Sequence, residues 1–220
     1  MFSGGKDSAF ALHRMLLSGF EVPVLLTIRS KDPSSPLFHT PGMEASHLFE
    51  GLTSIRTEVV EGPDDPDKEQ EVLTKAFRDL KDRYDLDAVC AGALLSDFQR
   101  MRFSEAALDA GLICYAPLWR KDGGRYMEEL LSFGLDYMLV SCSSAGFLPE
   151  HLGKVMDRDL LERLMDVSAK WGSHPAFEGG EAETLVLDGP LFPRALEVKG
   201  TVMTEGEHNA RFKIEEAVLK

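Results

Sequence analysis

The chain has 220 residues, 44% of them hydrophobic and 28% charged, and a formal net charge of −13 from 24 basic against 37 acidic side chains. Such a length and composition give one large or two small globular domains with a real core, and exclude a disordered or fibrous chain. The acidic balance repels a phosphate backbone and argues against direct nucleic-acid binding. No apolar run approaches the ~20 residues of a membrane span, and the N-terminus opens into a glycine loop rather than a charged and apolar leader, so neither a membrane protein nor a secreted one is expected. Cys90, Cys114 and Cys142 are scattered. They offer neither a disulfide framework nor zinc-ligand spacing, which favours a reducing, cytoplasmic setting.

After the glycine loop, Ala9 to Ser18 reads as a helix stopped by Gly19, and Val22 to Ile28 as a buried strand. Lys31 to Pro41, with three prolines among serines, reads as a loop and is followed by a short helix over Glu44 to Leu52. Ile55, Thr57 and Val59 mark one face of a strand. Asp67 to Tyr84 carries Val72, Leu73, Ala76, Phe77, Leu80 and Tyr84 at helical spacing. Ala88 to Ala91 reads as a strand, Phe103 to Ala110 as a helix closed by Gly111, and Leu112 to Tyr115 as a strand. This alternation predicts an α/β fold, a parallel sheet with helices on both faces, over about residues 1–120.

A second unit of smaller α+β character is expected over 121–220. It would hold a helix running to Phe133, a strand over Tyr137 to Val140, and a helix over Arg158 to Lys170. Strands follow over Thr184 to Leu187, Ala195 to Met203 and Arg211 to Val218, the last two joined as a hairpin across Glu205-Gly206-Glu207.

The chemistry is carried by Ser3-Gly4-Gly5-Lys6-Asp7-Ser8. A glycine-rich segment entering a helix offers converging N–H groups and the positive end of a helix dipole, which favour a bound phosphate chain. Gly4 and Gly5 permit a tight turn and close approach. Ser3 and Ser8 supply hydroxyls, Lys6 a positive charge, and Asp7 a carboxylate suited to hold magnesium through water. The Gly-x-x-x-x-Gly-Lys-Ser/Thr pattern of γ-phosphate-transferring enzymes is absent. Instead, the loop resembles the PP-loop of ATP pyrophosphatases, where pyrophosphate leaves.

Further motifs narrow the resemblance: Phe38-His39-Thr40-Pro41, Gly92-Ala93-Leu94-Leu95-Ser96-Asp97-Phe98-Gln99-Arg100-Met101-Arg102, Tyr115-Ala116-Pro117-Leu118-Trp119, and Glu178-Gly179-Gly180-Glu181-Ala182-Glu183-Thr184. In this order and over nearly the whole chain, they are similar to the diphthine–ammonia ligase family in its short archaeal-type form, within the adenine nucleotide alpha hydrolase-like group. The resemblance implies ATP-dependent amidation of diphthine, a modified histidine of elongation factor 2. Its carboxylate becomes an acyl-adenylate that ammonia attacks, giving diphthamide, AMP and pyrophosphate. Adenylation makes a poor acyl donor reactive and divides one hard step into two.

On this reading ATP and Mg2+ are the cofactors, and elongation factor 2 and ammonium the partners; a homodimer stays open. The loop and Gly92 contact the nucleotide, with backbone near Thr27 and Ile28 meeting adenine. Ser96, Asp97, Gln99 and Arg102 follow the C-terminal end of a parallel strand, where open α/β sheets bind ligands. Arg102 suits a phosphate or carboxylate, and Asp97 a hydrogen-bonding or magnesium role. The alternative is an ordinary helix start capped at Ser96 with solvated arginines. Glu178, Glu181 and Glu183, around Gly179-Gly180 and before Thr184, form an acidic turn suited to a trimethylammonium group or ammonium, with one glutamate taking the proton; a solvated turn is the alternative. His39 is either a phosphate ligand or a loop hydrogen-bonder. Trp119 and Phe177 are expected to pack a junction between the units rather than stack on adenine.

PP-loops normally follow a central strand, whereas only Met1 and Phe2 precede Ser3. Either the start lies downstream of the true one, or the chain is truncated, or another segment fills the central slot; the expectation is a misplaced start, which intact mass of the natively expressed chain beginning at Met1 or Phe2 would refute. Competing functions are an RNA thiolation ligase, disfavoured by cysteine spacing and charge, a nucleotide sensor without turnover, and an adenylating ligase for another acceptor.

Overall fold

A computed structural model describes residues 1–30, 43–63, 65–206 and 208–220. In chain order the elements begin with α1 (Lys6–Leu17), β1 (Val24–Arg29), α2 (Phe49–Thr53), β2 (Arg56–Glu61), α3 (Glu69–Tyr84), β3 (Ala88–Cys90), α4 (Asp97–Asp109) and β4 (Ile113–Tyr115). They continue with α5 (Gly123–Phe133), β5 (Asp136–Cys142), α6 (Arg158–Trp171), β6 (Ala182–Asp188), β7 (Leu196–Thr204) and β8 (Ala210–Leu219). The molecule is mixed α/β, with parallel strands early and an antiparallel sheet late.

Among the described residues, the chain divides into two compact units. The first comprises Met1–Ser3, 7–30 and Ile55–Arg120 apart from residue 64; the second comprises Gly4–Lys6, 43–54 and Lys121–Lys220 apart from residue 207.

In the first unit β1 pairs in parallel with β2, and β3 in parallel with β4. They form two short ladders rather than the single sheet expected. The N-terminal residues supply bonds to both: Phe2 donates its N–H to the Leu26 carbonyl at 2.8 Å, and the Met1 ammonium donates to the Cys90 carbonyl at 2.8 Å. Thr27 Oγ1 donates to the Phe2 carbonyl at 2.6 Å. Met1 and Phe2 thus bond to one strand of each ladder, with Phe2 1% exposed.

Leu73, Ala76, Phe77 and Leu80 of α3 repeat at core-facing helical spacing and pack with Phe103, Ala106, Ala107 and Ala110 of α4 over Leu26, Ile28 and Val89. Each large side chain so buried contributes ~1.5–3 kcal/mol. Arg78 and Lys81 of α3 donate to the carbonyls of Asp109 and Ala110, placing cations at the negative end of α4. The helix itself starts at Asp97, six residues before the expected Phe103. Its first turn faces outward, so no core periodicity announces it.

In the second unit the strand order is β6-β5-β8-β7. The β7–β8 hairpin pairs antiparallel from Leu196↔Leu219 to Thr204↔Ala210. Tyr137, Met138, Leu139 and Val140 are all buried, so β5 is covered on both faces. Asp122 and Asp157 accept from the N–H groups of Arg125 and Leu160 and cap α5 and α6. Among the described residues no helix is long and apolar enough to cross a membrane, and the three cysteines are free.

Candidate functional site

The glycine loop divides between the units, and each part has its own anchors. In the first unit, Ser3 donates to Ser8 Oγ through both its N–H and its Oγ, each at 3.2 Å. Asp7 and Ser8 open α1, and Ser8 is buried. Gly92 lies against them: a Cβ there would stand 2.8 Å from Asp7 C and from Ser8 N, a distance real side chains do not adopt. Only glycine lets the segment after β3 approach the helix start so closely.

In the second unit, Gly4–Lys6 runs beside β6. Lys6 donates its N–H to Thr184 Oγ1 at 3.1 Å, and Val186 donates its N–H to the Gly4 carbonyl at 2.7 Å. Gly4 has a φ of 79°, and a Cβ added to it would stand 2.2 Å from Phe49 Cζ, so backbone angle and space both require glycine. Lys6 is 3% exposed, its Nζ 5.3 Å from the centroid of the Phe177 ring. Phe177 in turn meets Phe147 edge to face at 5.5 Å. An ammonium over a ring face away from water gains a cation–π attraction that holds the charge in place.

The acidic turn belongs to the same unit. Glu181, 7% exposed, accepts from the N–H of His174 at 2.7 Å and of Gly179 at 2.8 Å, one bond to each carboxylate oxygen. Such charge-assisted bonds fix the turn. The short bond from Ser143 Oγ to the Gly180 carbonyl, 2.5 Å, adds a further tie. Glu183 is half-buried on β6 opposite Ser141, and Thr184 is buried beside Lys6. Glu178 is half-buried in the turn.

The remaining expected residues lie in the first unit. Ser96 is the N-cap of α4, its Oγ accepting from the Gln99 N–H at 3.2 Å. Asp97 meets Arg100 at 3.4 Å, and Arg102 lies 3.8 Å from Glu105 and over the Phe98 ring. Ser96 thus caps the helix start from which these side chains project. Thr27 Oγ1 is committed to Phe2, and the Ile28 side chain enters the core against α3 and α4. Both residues pair with β2 through their backbones. His39 lies outside the described residues. Trp119 carries Arg100 over its ring at 4.7 Å.

Sequence reasoning missed Phe49 and Phe147. No motif marks either, and only the fold brings them to Gly4 and Phe177. Among the described residues, no three His, Cys, Asp or Glu side chains cluster to hold a metal ion. Any magnesium here would take most of its ligands from phosphates and water, with Asp7 contributing, as that ion ordinarily does at nucleotide sites.

Two family models together match most of the chain. A diphthamide synthase N-terminal domain matches residues 1–113, and a diphthamide synthase C-terminal domain matches 122–219. A diphthine–ammonia ligase of Danio rerio is 33% identical over 221 residues, covering 91% of this chain and 86% of that protein. That of Homo sapiens is 29% identical over 216 residues, covering 89% and 80%. That of Schizosaccharomyces pombe is 30% identical over 212 residues, covering 89% of this chain but 35% of the longer relative.

Proposed function

The chain belongs to the diphthine–ammonia ligase family, and on that premise we propose that it uses ATP to amidate the diphthine carboxylate of elongation factor 2 with ammonia in the cytoplasm. The observation carrying this reading is the meeting of two motifs 178 positions apart: the Lys6 N–H is hydrogen-bonded to Thr184, beside Glu183. A phosphate-type loop and an acidic, cation-suited segment are what an adenylating amidation needs together.

The finer fold in this reading is that of a PP-loop ATP pyrophosphatase, with residues 1–120 binding ATP and 121–220 forming the substrate subdomain. Gly4, Gly5, Ser3 and Ser8 cradle phosphates at the start of α1, whose dipole favours anions. Lys6, held over Phe177, stabilises charge on the departing pyrophosphate. Asp7 would hold Mg2+, which would supply positive charge to neutralise the phosphates. Gly92 keeps the loop's approach open, and backbone near Thr27 and Ile28 faces adenine. Ser96 and Gln99 set the start of α4, from which Asp97 and Arg102 orient the carboxylate.

In the first step a carboxylate oxygen attacks the α-phosphorus and pyrophosphate leaves with the bonding pair. In the second, ammonia attacks the acyl carbon, the bond to AMP breaks, and Glu183 takes the proton. Glu178, Gly179 and Gly180 receive the cationic end of the substrate, and Glu181 acts by positioning this turn. The test is AMP release from ATP with magnesium and ammonium, with and without elongation factor 2 bearing diphthine, the factor being followed by intact mass. AMP formation that depends on the factor, with conversion of its acid to the amide, supports the ligase. ATP binding without turnover overturns it.

A further inference from the structure

In a chain whose net charge is −13, three arginines at and beyond the start of α4 lie over aromatic rings. Arg100 and Arg120 both lie over Trp119, 4.7 and 5.8 Å from its centroid, and Arg102 lies 5.5 Å from that of Phe98. Arg100 meets Asp97 only at 3.4 Å, and its Nε is buried without a hydrogen-bond partner among the described residues. Arg120 is held at a φ of 60°, a left-handed conformation costly for any residue but glycine, with its N–H donating to the Leu94 carbonyl at 2.8 Å. Two like charges gathered on one ring repel each other, and an incoming anion relieves that repulsion.

On α4, Phe98 and Met101 are 46% and 62% exposed, one turn apart, while Phe103, Ala106 and Ala107 of the same helix enter the core. The helix therefore carries exposed apolar side chains on a second side, away from the core formed by the described residues. Exposed aromatic, methionine and arginine side chains together are the composition of interface anchors, where a few residues carry most of the binding energy.

We propose that Phe98, Arg100, Met101, Trp119 and Arg120 form the surface that docks the acceptor protein, through a segment of that protein with carboxylates flanking an apolar anchor. This inference rests on the acceptor being a protein, as the proposed function has it. Charge complementarity selects the occupant: the arginines attract carboxylates locally, whereas the acidic chain as a whole repels a continuous phosphate backbone. Phe98 and Met101 require an apolar partner that a bare polyanion lacks.

The experiment is steady-state amidation of elongation factor 2 bearing diphthine by the full chain and by its Arg120→Glu and Met101→Glu variants. The KM for the factor is expected to rise about tenfold in each, while kcat and the KM for ATP stay within about twofold. Added salt is expected to raise the wild-type KM more steeply than that of Arg120→Glu. Arg120→Gly relieves the left-handed strain, so it keeps the fold and still raises the KM. Unchanged KM values with an active wild-type chain overturn the docking surface and leave the ligase reading standing. A wild-type chain that never amidates the factor removes that reading and the occupant with it. Variants that instead lose binding to a labelled single-stranded RNA, or lose self-association by light scattering, overturn the choice of occupant.

Discussion

Asp7 and Ser8 are fixed in a parallel α/β unit by backbone meeting backbone at Gly92, with Ser3 bonded to Ser8, whereas Gly4–Lys6 are fixed along the edge of an antiparallel sheet by Thr184, Val186 and two aromatic rings. Neighbouring residues of one loop are thus held by contacts of different hardness. Backbone atoms cannot yield to an added methyl group, while a phenylalanine ring can turn or be replaced. The charged end of the loop receives the softer, polarisable support, and the hydroxyl-bearing parts the rigid one.

The largest effect is expected at the charge. Lys6→Ala should lower AMP formation by about 10²–10³-fold, as removal of one pre-aimed electrostatic group does, with circular dichroism showing an intact fold. Full activity in a folded variant would remove Lys6 from the chemistry.

Next come the glycines, which separate the two kinds of support. Gly4→Ala meets both the positive φ and the Phe49 ring, each worth ~1–3 kcal/mol. Phe49→Leu in the same chain should recover the steric part, read as a partial return of Tm and of ATP affinity. Gly92→Ala should weaken ATP binding with no such rescue, because its neighbours are the backbone of Asp7 and Ser8. Equal rescue at both sites would erase the distinction.

The two buried or half-buried glutamates of the acidic segment divide in the same way. Glu181→Gln replaces an oxygen that accepts from His174 or Gly179 by an amide that cannot, and should cost ~1.5–3 kcal/mol, visible as a lower Tm. Glu183→Gln should leave Tm near its starting value and slow amidation by about 10²–10⁴-fold, the contribution of a positioned base. A Glu183→Gln enzyme of undiminished rate would take the proton-accepting role away from that residue.

Local signals were readable wherever one face of an element meets a core. The periodicity of Leu73, Ala76, Phe77 and Leu80 locates α3, and the strands on either side of Glu205-Gly206-Glu207 pair as a hairpin on the expected residues. The first turn of α4 was not, because Phe98 and Met101 point outward and mimic no core stripe; the Ser96 cap was the available signal. Gly92 is visible as part of a motif, but its reason, the 2.8 Å approach to Asp7 and Ser8, exists only in three dimensions. The same holds for the pairing of Lys6 with Thr184 across 178 positions. Local propensity carries no information about contacts so distant in sequence.

The smallest effect tests whether the second unit has an acid-sensitive support of its own. His151 is buried, and its Nδ1 accepts from the Leu148 N–H at 3.1 Å. Burial pushes its pKa below the ordinary histidine value, with Lys154 and Arg163 adding to the depression against an opposing Glu150. The unfolded chain therefore takes up this proton at a pH where the native one resists it, and stability rises with pH across that window. As pH falls below the ordinary histidine range of ~6.5, the contribution is lost. His151→Gln keeps an acceptor for Leu148 but does not titrate, so its Tm should fall less than that of the parent chain between about pH 7.5 and about pH 5.5. Equal losses in the two chains would assign the acid sensitivity to other groups, and a larger loss in His151→Gln would reverse the sign argued here.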